Sequence, residues 1–193
     1  ELDAFINNSI IPVVNKWKVN NEQSFMQLGL NSMQQYRIKF IIAKISAYID
    51  TLRIGKSDTG VLATYFDSGV EIEHIMPQTC YKKASYGVND EEFDLLINRL
   101  GNLALLENSI NKSIHNDDYA SKSVAYQQSK FYLTKSIPGL IDQGTNTAIT
   151  RTNKKLTAWS TWNKTTIEDR QQMLYRLSEE IWGIQVAAST IDI

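Results

Sequence analysis

The chain has 193 residues, 42% of them hydrophobic and 21% charged, with a formal net charge of −1. That length and balance suit one globular domain with a substantial core. The single cysteine, Cys80, excludes an internal disulfide and a CxxC zinc knuckle and suits a reducing cytoplasm. No apolar run approaches the roughly 20 residues that cross a bilayer, and no secretory leader is visible. The near-zero net charge conceals an asymmetry: residues 67–118 carry ten acids and four bases, whereas residues 119–164 carry seven bases and one acid. Two solvated faces are the simpler reading, but an acidic stretch before a basic one also suits a metal site beside a polyanion-binding surface. Because the chain opens on Glu1 rather than methionine, we expect it to be a piece of a longer polypeptide.

In chain order, Met33 to Leu52 reads as a long helix, with Ile38, Ile41, Ile42, Ile45, Tyr48, Ile49 and Leu52 at helical spacing. The GKSDTG run, residues 55–60, is a loop by composition. Val70 to Met76 (VEIEHIM) alternates apolar and polar residues and then meets Pro77, the pattern of a strand stopped by proline. Asp90 to Leu100 predicts a short helix with Phe93, Leu96, Ile97 and Leu100 inward, and Gly101 to Leu106 (GNLALL) a short apolar strand after a glycine turn. Asn108 or Ser109 is placed to cap a helix running towards Leu133, and Pro138 to Asn146 reads as a loop. A capping box at Thr165-Thr166-Ile167-Glu168 predicts the start of a last helix with Ile167, Leu174, Leu177 and Ile181 on one face. The fold class is therefore mainly α with a small central β-hairpin.

The chain has two histidines, His74 and His115. Glu73 precedes His74 directly. Adjacent strand residues face opposite ways, but both can reach one site if the strand ends or twists at Pro77. A carboxylate holding a hard cation and an imidazole activating water form a pair suited to phosphodiester hydrolysis. Downstream, Asn102 begins the second strand and Asn111 follows nine residues later in the next helix. One such amide could supply a hard oxygen ligand and the other could set the histidine tautomer. Trp159 and Trp162, lying among Arg151, Lys154, Lys155 and Lys164, could stack on exposed bases, but their three-residue spacing is read first as core. Cys80 has no histidine or second cysteine nearby in sequence and is not read as a nucleophile. No P-loop is present, so nucleotide hydrolysis is not expected of this chain.

The stretch EIEHIMPQT followed by LGNLALLENSINKSIHNDDYASK resembles the HNH (ββα-metal, His-Me finger) nuclease domain at the C-terminus of GmrSD-type modification-dependent restriction enzymes. The nine-residue step between the asparagines also resembles the HNH domain of RNA-guided DNA nucleases. The resemblance implies a ββα-metal core embedded in helices: an N-terminal helical part at residues 1–66, the core at 67–134 and a C-terminal helical extension at 135–193, together one compact domain. It implies Glu73 and Asn111 as ligands of one divalent cation, Mg²⁺ or Mn²⁺, with His74 as general base and Asn102 as the residue that orients it. His115 is read first as a surface histidine, with metal ligation as the alternative. Lys112, Lys122, Lys154 and Lys155 are candidate DNA contacts. The implied partners are DNA and an N-terminal NTPase or sensor domain of the same polypeptide, acting in the cytoplasm against phage DNA with no membrane involved. A catalytically silent DNA-binding module derived from a nuclease, or a helical protein-interaction module, is the alternative.

Overall fold

The computed structural model describes residues 21–55, 62–80, 83–142 and 144–183, with two isolated positions nearer the N-terminus. The GKSDTG loop assignment falls outside these, apart from Gly55. The first long helix, α1 (Gln35–Ile54), forms where the periodicity predicts it. Ile38, Ile42, Ile45 and Ile49, spaced four, three and four apart, are all fully buried, as a helix with one apolar stripe requires. Gly55 ends α1 in the left-handed conformation at φ 68°, its N–H donating to the Leu52 carbonyl, a turn that glycine adopts without steric penalty. A single helical turn, α2 (Ala63–Phe66), leads into β1 (Val70–His74).

β1 pairs antiparallel with β2 (Leu103–Glu107), Val70 opposite Glu107 and His74 opposite Leu103. The two strands form a two-stranded sheet, but no tight turn joins them. Residues 75–102 intervene and include a 3₁₀ turn (Lys83–Tyr86), helix α3 (Asp90–Leu96) and a second 3₁₀ turn (Leu100–Asn102). α3 begins with a reciprocal capping box between Asn89 and Glu92, and Phe93, Leu96, Ile97 and Leu100 are buried as predicted.

The helix expected from residue 108 towards Leu133 is broken into three: α4 (Asn108–Ile114), α5 (Tyr119–Tyr126) and α6 (Tyr132–Lys135). α4 stops at His115, whose φ of 39° and ψ of −125° leave the helical region. Asp118 then caps a fresh start, its side chain accepting from the Ser121 N–H. Neither Asn108 nor Ser109 caps α4; the N-cap position is Glu107, with no side-chain cap, and the Asn108 amide donates to Glu71 instead. After residues 138–142 and 144–147, which lie outside helices and strands, come α7 (Ala148–Asn153) and α8 (Lys164–Trp182). α8 begins slightly earlier than expected, because Asn163 rather than a threonine caps it, in a reciprocal box with Thr166.

The core lies between α1, the sheet and α8. α1 packs on β2, α6, α7 and α8, and α4 packs across both strands, giving a strand–strand–helix unit seated on a helical bed. No helix among the described residues is long and apolar enough to cross a membrane. Trp159 and Trp162 are buried, and Trp162 stacks on Tyr119, so the core reading of these tryptophans holds.

α8 grips the segment that starts β2. Arg170 is fully buried, and its Nη1 donates to the carbonyls of Gly101 and Leu103, each at 2.8 Å. The Gly101 N–H donates to the Gln171 Oε1. The backbones come so close that a Cβ at Gly101 would lie 2.2 Å from the Ile167 carbonyl oxygen. Gly101→Ala must therefore push α8 away from the sheet, an overpacking that costs about 1–3 kcal/mol and at this chain length lowers Tm by about 3–10 °C. Gly139→Ala, where a Cβ meets nothing within 4 Å, should leave Tm nearly unchanged. Thermal melts of the two variants check this, and an unaltered Tm for Gly101→Ala would contradict the close packing.

Candidate active site

β1 ends at His74, short of the Pro77 stop, and α4 lies across the sheet beside it. Between them is a cleft of about 270 Å³ lined by Ile72, Glu73, His74, Gln78, Asn111, Lys112, His115, Asn116 and Lys122. Glu73 and His74 thus reach the same cleft although they are sequence neighbours, because regular strand geometry stops at that point. Asn111 and His115 enter it from α4 and its C-terminal end.

Glu73 is buried, and its Oε1 accepts from the Lys122 Nζ at 2.6 Å and from the Tyr126 hydroxyl at 2.9 Å. Burial raises the carboxyl pKa above the ordinary glutamate value, and Lys122 and Tyr126 partly oppose that rise. Lys122 is 1% exposed and also donates to the His74 carbonyl at 2.7 Å. It was expected as a DNA contact. Instead it is an internal cation that offsets a buried carboxylate, since isolated charges are too costly to bury unpaired.

His74 is 8% exposed, on the strand face that alternation gives it with Val70 and Ile72. Its Nε2 lies 3.2 Å from the Asn98 Oδ1 and 3.4 Å from the Gln78 Nε2. Asn98 in turn donates its Nδ2 to the Asn31 Oδ1 at 2.9 Å, which turns its oxygen to the histidine. A carboxamide oxygen only accepts, so the Asn98 contact takes the tautomer with its proton on Nε2 and its lone pair on Nδ1, whereas the Gln78 nitrogen, a donor, takes the other. Burial, with a smaller contribution from Lys122, lowers the His74 pKa below the ordinary histidine value, against the opposing Asn98 bond. The ring is therefore neutral at neutral pH, the form a general base needs.

Asn102, expected to orient His74, does something else. It is fully buried; its Oδ1 accepts from the Met76 N–H at 2.7 Å and the Trp162 Nε1 at 2.9 Å. Its Nδ2 donates to the carbonyls of Met76 and Ile97. The residue bonded to the imidazole is Asn98, and Asn102 clamps the backbone just beyond His74. Asn98 sits in the turn after α3, and no sequence pattern marks it.

Asn111 donates its Nδ2 to the Glu71 Oε2 at 2.8 Å, while Asn108 donates to the other oxygen of the same carboxylate at 2.9 Å. Glu71, two residues before Glu73 and hence on the same strand face by alternation, was not singled out from the sequence. His115 is exposed on the rim of the cleft. Lys112 is exposed and lines the cleft. Lys154 and Lys155 are exposed but do not line it, and Lys155 is paired with Glu180 at 2.7 Å. Lys164 is paired with Glu92. The basic stretch therefore does not form one face of free cations: three of its seven bases, Lys122, Lys155 and Lys164, hold carboxylates of the chain itself.

Among the described residues, no three His, Cys, Asp or Glu side chains cluster as a metal site. What the cleft offers is one carboxylate, Glu73, and three amides, Gln78, Asn111 and Asn116, with His115 at the rim. The Asn111 nitrogen donates to the Glu71 Oε2, and the amide oxygen is left for another partner. A sparse set of oxygen donors fits a hard divalent cation such as Mg²⁺, which completes its shell with water and phosphate. It does not fit a structural zinc, which takes four cysteine or histidine ligands.

Comparison with curated proteins and with solved structures finds no match to this chain. A family model does match: that of the C-terminal domain of GmrSD restriction endonucleases, over residues 18–177. That span takes in α1, the strand–strand–helix unit with its cleft, and most of α8, so the chain belongs to the family of GmrSD restriction endonuclease C-terminal domains.

Proposed function

We propose that the chain is a divalent-metal-dependent DNA endonuclease of the HNH type, the effector part of a modification-dependent restriction protein that acts in the cytoplasm against phage DNA. The observation that carries this reading is the single cleft shared by Glu73, His74 and Asn111, within a chain whose family is one of restriction endonuclease domains. A sensor domain with NTPase activity, elsewhere in the same polypeptide, would choose the DNA; this chain would cut it.

Glu73 and Asn111 would hold one Mg²⁺ or Mn²⁺ ion through oxygen, with His115 near enough on the rim to join them. When bound, such an ion supplies positive charge at the scissile phosphate and the departing 3′ oxygen. The residues of the chain account for the rest. His74 takes a proton from water at Nδ1, with Asn98 holding the opposite ring nitrogen. The water attacks phosphorus in line, leaving 5′-phosphate and 3′-hydroxyl ends. Lys112, exposed at the cleft, is the cation best situated to meet a backbone phosphate. Lys122 keeps Glu73 and the His74 carbonyl in place from beneath.

Cleavage of supercoiled plasmid by wild type and His74→Ala, with Mg²⁺, with Mn²⁺ or with chelator, tests the reading. Wild type should cut only with metal. Loss of the general base should slow cutting by about 10²- to 10⁴-fold, in a protein whose circular dichroism still shows the native helical content although the lost buried ring lowers its Tm. A His74→Ala protein that cuts at the wild-type rate would sink the mechanism.

The His74 environment also sets a pH dependence. A base whose pKa is lowered stays unprotonated as pH falls through the ordinary histidine value of about 6.5. Single-turnover cleavage at saturating metal should therefore be level around neutral pH and lose half its rate only below that value. An acid limb with its midpoint at or above it would contradict the buried, neutral ring.

A further inference from the structure

One carboxylate outside the cleft determines which end of Asn111 the cleft receives. Glu71 does not line the cleft, yet it accepts from both Asn108, at 2.9 Å on Oε1, and Asn111, at 2.8 Å on Oε2. The two asparagines stand three apart at the start of α4, so they share one helix face and a single carboxylate spans them. An amide has two unlike ends. A rotation of its terminal bond exchanges oxygen for nitrogen with almost no change in shape, and only the oxygen can bind a hard cation. Each oxygen of Glu71 is an acceptor, so each asparagine must turn its NH₂ group to it.

We propose that Glu71 is a positioning residue that locks the Asn111 amide with its oxygen directed to the cleft, so that the site presents an acceptor rather than a donor. The proposal rests on the reading of Asn111 as a metal ligand. Glu71 touches neither DNA nor the ion; it acts through Asn111. Partners of this kind, held behind a ligand, change metal affinity by about 10- to 100-fold when removed.

Glu71→Gln is the informative variant because it keeps the size and removes the symmetry. Its amide offers one acceptor and one donor where the carboxylate offers two acceptors. One of the two asparagines must then invert or lose its bond. Adding Asn108→Asp resolves the choice. The new carboxylate at position 108 can only accept, so it takes the NH₂ group at position 71 and turns the oxygen of that amide back to Asn111. The pair of substitutions exchanges charge and amide without altering net charge, and it restores the original lock.

Mn²⁺ binding to the purified chain, followed by the electron paramagnetic resonance signal of free Mn²⁺, reads this without relying on cleavage. Glu71→Gln should weaken Mn²⁺ binding about tenfold or more, and Glu71→Gln/Asn108→Asp should recover it to within about twofold of wild type, cleavage following the same order. Affinity unchanged in a folded Glu71→Ala, which removes both acceptors, or lost in Glu71→Gln and not recovered in a double variant that melts like wild type, would overturn the role of Glu71. Should Glu71→Gln fail to fold, the double variant still tests the role, since Mn²⁺ binding lost in a double variant that melts like wild type overturns it. Asn111→Ala separates this role from the reading beneath it. Equal Mn²⁺ affinity in wild type and Asn111→Ala would remove the ligand assignment itself, whereas a loss in Asn111→Ala with none in Glu71→Ala would remove only the lock.

Discussion

Asn102 has no exposed surface, and its side chain makes four hydrogen bonds, to the Met76 N–H and carbonyl, the Ile97 carbonyl and the Trp162 Nε1. Those partners lie on three separate pieces of chain: the exit from β1, the turn after α3, and the segment leading into α8. One backbone bond, from the Ile75 N–H to the Asn102 carbonyl at 2.9 Å, reaches past β1, and the Asn102 amide ties the rest together. Leaving a buried polar group unpaired costs about 1–3 kcal/mol, and Asn102 satisfies four, in a domain whose whole stability is on the order of 5–15 kcal/mol. The place where the sheet ends is thus fixed by side-chain hydrogen bonding, and that is also where His74 sits.

A second buried polar element carries the effect into the cleft. The Lys122–Glu73 pair holds α5 against β1, with the lysine 1% exposed. Buried pairs of this kind add little net stability over a well-packed apolar substitute, but losing one partner is expensive. Their use here is positional. Glu73 is held at one oxygen by Lys122 and Tyr126, His74 by Asn98 at Nε2, and Asn111 by Glu71. Every residue of the proposed site is therefore held from behind by a side chain outside its own strand or helix, which suits chemistry that depends on positioned donors and acceptors.

What the sequence shows of this arrangement follows from periodicity and from short motifs. α1 is legible because isoleucines at helical spacing leave one face to bury, and β1 because VEIEH alternates. Asn102, read as beginning the second strand, closes the 3₁₀ turn just before β2, and Asn111 lies within α4, as its place in the next helix predicts. The break at His115 is not legible, because nothing in a histidine announces a positive φ. The restart at Asp118 was, in principle, marked by an aspartate, a favoured N-cap residue, at that position. The partners of buried polar groups are the least legible part. Lys122 meets Glu73 from 49 residues away, so a lysine that looks solvated in sequence becomes internal through tertiary packing. Asn98 and Asn102 differ only in which side of one turn they occupy, and the fold gives the imidazole to the first. Glu71 was accessible to a period-two argument, since it shares a strand face with Glu73, but nothing in sequence says that the residue it meets is Asn111.

The central claim is that Glu73, His74 and Asn111 form one cation-binding cleft on a strand–strand–helix platform. Its most direct test is to locate the ion in solution. Mn²⁺ titrated into ¹⁵N-labelled protein broadens the amide resonances nearest to it. The account predicts that the first signals to vanish are those around residues 72–74 and 111–115, and that Asn111→Ala delays their loss to higher Mn²⁺. First broadening at another acidic stretch, such as Asp90 to Asp94, with residues 72–74 untouched, would contradict it.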